Sequence, residues 1–115
     1  MQVKLVSFGF KYGPPYDVKK IVDCRPMKNP HNVTELRRLT GLDGRVQKYV
    51  ETDDRFGRTL QEALLGLNDG DTVAFGCYGG RHRSVAMVEM SAYRLRASGF
   101  DVEVHHRELD IRRTA

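Results

Sequence analysis

Asp71–Leu95 reads DTVAFGCYGGRHRSVAMVEMSAYRL, and its character changes twice along the way. Thr72-Val73-Ala74-Phe75 is a short apolar run with turn residues on its left, the pattern of a buried strand. Gly76–His82 is glycine-rich, and beyond it Val85, Val88, Ala92 and Leu95 recur on one face of a helix. A strand, a glycine loop and a helix start together make a cradle for an anion. The first helical turn has unpaired N–H groups and the positive end of the helix dipole. Adjacent glycines let the backbone approach a charged group at positive φ. Arg81, His82 and Arg83 stand where their charge would reinforce that field.

The rest of the chain supplies elements on either side. Val3–Phe10 (VKLVSFGF) is a strand, and Lys11-Tyr12-Gly13-Pro14-Pro15 is a loop that no regular element can continue. Ile21–Arg25 is a second short strand, with Asp23 and Arg25 on one face, either an ion pair or a ligand-positioning pair. Pro26–Asn32 is a polar loop, Thr34–Arg38 a turn of helix, and Asp43 the cap of a helix marked by Val46 and Val50. Asp53–Leu67 is a further helix with Phe56, Leu60, Ala63, Leu64 and Leu67 on one side. Asn68–Asp71 is a turn, Gly99 closes the long helix at the C′ position, and Val102–His106 alternates as a fourth strand.

Interleaved strands and helices predict one α/β domain over residues 1–115, with a four-stranded, mostly parallel sheet. In such sheets ligands gather beyond the carboxyl ends of the strands. Lys11, the Asp23/Arg25 pair and the glycine loop would then meet there. The short connection between the first two strands strains this reading, because a parallel crossover normally needs a dozen or more residues.

Composition narrows the function classes. A net charge of +4 suits an anionic partner without specifying nucleic acid. Nothing resembles a membrane span or a signal peptide, so a cytoplasmic location is expected. Cys24 and Cys77 lack disulfide or zinc spacing, and His105 and His106 alternate across a strand with no carboxylate at ligand spacing. No metal and no cofactor are expected.

SFGFKYG (Ser7–Gly13), DCRPMKNPHN (Asp23–Asn32), LTGLD (Leu39–Asp43) and GCYGGRHRSV (Gly76–Val85) resemble, in order and spacing, the RapZ C-terminal domain family. HHREL (His105–Leu109) resembles that family's basic terminal segment. The resemblance implies an α/β domain that binds an amino-sugar phosphate, contacts a small regulatory RNA or a ribonuclease as an adapter, and self-associates. It implies a sensor rather than a catalyst. Its anion pocket would comprise Gly79, Gly80, His82 and Arg83, with His31 and Lys11. Tyr78, Arg81 and Ser84 flank these residues, and Arg107, Arg112 and Arg113 would be the RNA contacts. Two departures stand out. Tyr78 replaces the family's usual threonine, and no G-x-x-x-x-G-K-[ST] is present, so no Walker-type hydrolysis is expected.

Cys77-x-x-Gly80-x-x-Arg83-Ser84 also fits the loop of cysteine-dependent phosphatases. There Cys77 would attack phosphorus, Arg83 would clamp the oxygens, and Asp43 or Asp23 would protonate the leaving alcohol. Gly76 stands where those enzymes usually have histidine. A buried structural role for Cys77 is the competing reading.

Overall fold

The computed structural model describes residues 1–114. Its strands are β1 (Gln2–Gly9), β2 (Lys20–Asp23), β3 (Thr72–Cys77), β4 (Asp101–His106) and β5 (Ile111–Thr114), in the order β2-β3-β1-β4-β5. β1 pairs in parallel with β3 and β4, β2 in parallel with β3, and β5 antiparallel to β4. The sheet is mostly parallel, as expected, with one strand more than the four read from sequence. Ile111–Thr114 is too short and too charged to announce itself; pairing with β4 is what makes it a strand.

Helices α1 (Gly44–Glu51), α2 (Phe56–Leu64) and α3 (Arg83–Ala97) complete the fold. Alternation along the strands sends Leu5, Val22, Val73, Phe75, Val102 and Val104 into one core with the helices. Asp43 caps α1, its Oδ1 accepting from the Arg45 N–H at 2.9 Å. Gly99, at φ +90°, ends α3: its N–H donates to Arg96 O and the Phe100 N–H to Leu95 O, both at 3.0 Å. α2 is shorter than the helix expected over Asp53–Leu67, because the buried Asp53 forms the turn before it, accepting from the N–H groups of Lys28 and Arg55. Residues 34–38 form turns rather than helix.

The short connection after β1 has a simple solution. β3 lies between β1 and β2, and residues 10–19 cross on the sheet face opposite α1–α3 with only a single 3-10 turn at Phe10–Tyr12 and no α-helix. Phe10 and Val18 pack there on Val6, Phe8 and Ala74. All three strands therefore end on the same side, with Gly9 beside Cys77 and Asp23 beside Gly76.

Candidate functional site

The loop from Tyr78 to His82 links β3 to α3 at that carboxyl end. Its shape depends on glycines in three different segments. A Cβ on Gly9 would lie 2.6 Å from Gly79 C, and one on Gly80, at φ +75°, 2.6 Å from Gly9 N. A Cβ on Gly41 would lie 2.2 Å from Ala86 N and 2.5 Å from His82 O. Side chains at these positions would meet backbone, so the end of β1 and the 39–43 segment clamp the loop from two sides. The Lys11 N–H donates to Tyr78 O at 3.2 Å and the Gly41 N–H to Arg81 O at 2.9 Å. Gly9 and Gly41 belong to the quoted motifs, but which backbone each of them faces shows only in the fold.

Among the described residues, no main-chain N–H from Gly79 through Val85 donates to another protein group; the first bond of α3 is Ala86 N–H to His82 O. His82 occupies the cap position without a side-chain capping bond. Its Nε2–H donates instead to Leu39 O at 2.6 Å, and burial lowers its pKa below the usual histidine range, against that bond. The ring is thus a neutral tie between the 39–43 segment and the loop, where the sequence suggested a cation. His31 is exposed, with its ring centroid 6.5 Å from that of His82.

Arg83, only 8% exposed, is the first residue of α3. Its Nη1 donates to Arg25 O at 2.6 Å and to Met27 O at 3.3 Å, fastening the turn after β2 to the loop, while its buried Nε has no partner. Arg81 is exposed. Ser84 is buried, with Oγ 3.2 Å from Cys77 Sγ. Cys77 itself belongs to the helix-side core, as does Cys24, whose thiol burial pushes well up.

The carboxylates suggested as proton donors are committed elsewhere. Asp43 accepts from Arg45 through side chain and backbone, which holds its pKa down to about 2. Asp23 pairs with Arg25 at 2.9 and 2.8 Å, and that hydrogen-bonded guanidinium lowers its pKa. Both remain unprotonated at neutral pH, so neither is poised as a general acid.

Glu108, which the sequence did not single out, accepts from the Gly9 N–H at 2.6 Å and packs against Gly80. Arg107 pairs with it at 2.9 Å and also donates to Gly13 O. Arg113 pairs with Glu89, which accepts from Nε2–H of the buried His106 at 2.7 Å. His106 Nδ1 in turn lies 2.7 Å from Ser7 Oγ. Of the three arginines expected to form a basic tail, Arg107 and Arg113 sit in ion pairs and Arg112 is exposed on β5.

Two recesses lie away from the loop. One of about 720 Å³ opens at the amino ends of the strands, by Gln2, Lys4, Phe100 and Asp101. The other, about 960 Å³, runs between α1 and α3, by Gln47, Glu89 and Tyr93. Among the described residues no cluster of His, Cys, Asp and Glu is arranged to hold a metal, and no helix is long and apolar enough to cross a membrane.

Comparison with known proteins agrees with the motifs. Curated relatives called nucleotide-binding proteins include one from Bifidobacterium adolescentis, 46% identical over 97% of this chain and 40% of its own length. Those of Streptomyces coelicolor and Thermobifida fusca are 45% and 43% identical, over 95% of this chain and 40% and 41% of their own length. The chain thus spans about 40% of the length of these relatives. Residues 1–110 match the RapZ C-terminal domain, and the chain belongs to that family.

Proposed function

We infer that the loop over Gly79–Val85 is a binding site for a phosphorylated small molecule, with the domain acting as a sensor or adapter. The observation that carries this is the run of main-chain donors that meet no protein acceptor among the described residues. Consecutive free amides at a helix start favour a multiply charged oxyanion. Arg83, the first residue of α3, keeps a buried Nε without a partner as a further charged donor. Family kinship makes an amino-sugar phosphate the first ligand to test, and an RNA or ribonuclease the partner to which occupancy would be reported. Self-association belongs to the same reading. Arg81, Ser84, Lys11, His31 and Tyr78 are the further residues proposed to border the ligand. Binding proceeds without turnover, since Asp43 and Asp23 have no proton to give.

The test is thermal unfolding with inorganic phosphate, a hexosamine phosphate and an aryl phosphate. At one hundred times the dissociation constant, one site stabilises the fold by about 2.7 kcal/mol. Arg83→Ala should remove that response. An unchanged midpoint with every phosphate compound, or an unchanged response in Arg83→Ala, defeats the assignment. Steady release of aryl alcohol would restore the phosphatase.

A further inference from the structure

Immediately before the free amides the surface becomes aromatic and cationic. Tyr12 and Tyr78 are each 62% exposed. Lys11 stands with them, its Nζ 5.1 Å from the Tyr12 ring centre and 5.6 Å from that of Tyr78. The Lys11–Tyr78 main-chain bond fixes this grouping to the glycine loop. Alongside, the Arg25 guanidinium lies 3.8 Å over the Phe10 ring, and Phe10 packs under Gly76. The core does not use either tyrosine ring. Tyr93 is also exposed, but it borders the groove between α1 and α3, where acidic and basic residues mix.

We propose that Tyr12, Lys11 and Tyr78 form a stacking subsite for a flat unsaturated ring, continuous with the amides of Gly79–Val85. The ligand class that uses both parts is a nucleoside monophosphate unit, base on the tyrosines and phosphate on the loop. Aromatic faces interleaved with cations accept any base, because every base offers a π-face, and a cation attracts both the ring electrons and the adjoining phosphate. The same unit occurs as a free nucleotide or as an unpaired nucleotide of RNA. A sugar phosphate would use the loop alone. This proposal rests on the phosphate reading of the loop and adds a second contact to it.

The experiment titrates the protein with inorganic phosphate, a hexosamine phosphate, adenosine and uridine monophosphates, adenosine, and a short unstructured RNA. Binding is followed by calorimetry and by tyrosine fluorescence, which no tryptophan obscures in this chain. The nucleotides should bind roughly fivefold or more tighter than inorganic phosphate, the low end of one base stacked on an aromatic ring. Tyr12→Ala should erase that excess while leaving the affinity for inorganic phosphate unchanged, and Tyr78→Ala should erase it too. Both positions are exposed, so circular dichroism should report an unaltered fold. RNA binding at least as tight as the mononucleotides identifies an unpaired RNA nucleotide as the source; weaker RNA binding identifies the free nucleotide. Equal affinity for phosphate and nucleotides overturns the stacking subsite and leaves the loop standing. Adenosine binding with no response to any phosphate compound overturns the loop, and with it the nucleotide unit proposed here.

Discussion

α1 and α3 begin side by side, joined through Gly41, and they treat their first amides in opposite ways. Gly41 packs on the first turn of α3 and its carbonyl accepts from Gln47 of α1 at 2.9 Å. At the head of α1 the chain supplies its own anion: Asp43 accepts from the Arg45 N–H and is held by the Arg45 side chain. At the head of α3 His82 turns to Leu39, and among the described residues the amides of Gly79–Val85 meet no protein acceptor. A capping carboxylate is the inexpensive way to stabilise a helix start. A chain that uses it at the start of α1 and leaves it out at the start of α3 has the arrangement that the proposed anion site requires.

The largest expected effect comes from closing the space that holds the α3 loop open. Gly80→Val would force a β-branched residue to φ +75° and drive its Cβ to within 2.6 Å of Gly9 N. Destabilisation of about 3 kcal/mol or more is expected from strain and overpacking together. Urea unfolding measures it. Gly44→Val, at the α1 start where a Cβ meets nothing, should cost far less. Equal losses would mean that the two helix starts do not differ in the way described.

Next in size is an attempt to make α3 resemble α1. Arg81→Asp places a carboxylate beside the free amides and removes a nearby cation. Arg81 is exposed, so the fold should survive. Phosphate affinity should fall about tenfold or more, roughly 1.4 kcal/mol, as the new side chain competes for the donors. Undiminished phosphate binding, read by calorimetry, would show that those amides are not where the anion sits.

How much of this could be read beforehand follows from the range of the interactions. The strand–loop–helix order over Asp71–Leu95, the Asp43 cap and the Gly99 stop are local, and each has a side chain or a φ requirement that names it. The Asp23–Arg25 pair is equally local, two residues apart, with Asp23 ending β2 and Arg25 in the turn just past it. What was not legible is long-range. β5 exists because β4 has an open edge, and Asp53 shortens α2 because Lys28 arrives from another segment. His82 looked cationic in a run of arginines, but its role is decided by the Leu39 carbonyl. Arg107 and Arg113 looked like a basic tail until the fold placed Glu108 and Glu89 against them. Charge in sequence counts residues; charge at a surface depends on which partners the topology delivers.

His82 offers a smaller, pH-dependent effect. Burial lowers its pKa in the fold, so the folded state binds fewer protons than the unfolded chain, where the value is about 6.5. The associated stability is complete above pH ~6.5 and is lost as pH falls through the lower folded value. Measured against His82→Gln, the wild type should therefore weaken on acidification below that point. An NMR titration of the ring should give a midpoint below 6.5; a midpoint above it would mean that His82 is the cation its neighbours suggest.

The smallest effect belongs to the start that is already filled. Asp43 is lowered to about 2 from 3.8, so its contribution is present above pH 3.8 and disappears as pH falls through about 2. Asn also caps helices, so Asp43→Asn keeps the hydrogen bond and removes only the charge. The stability difference between wild type and variant should be small, flat from neutral pH down to about 4, and shrinking toward pH 2. Phosphate should stabilise both proteins equally, because the anion that α1 needs is part of the chain. If phosphate instead favoured the variant, the two helix starts would be competing for the same external anion, and the contrast between them would fail at its simpler end.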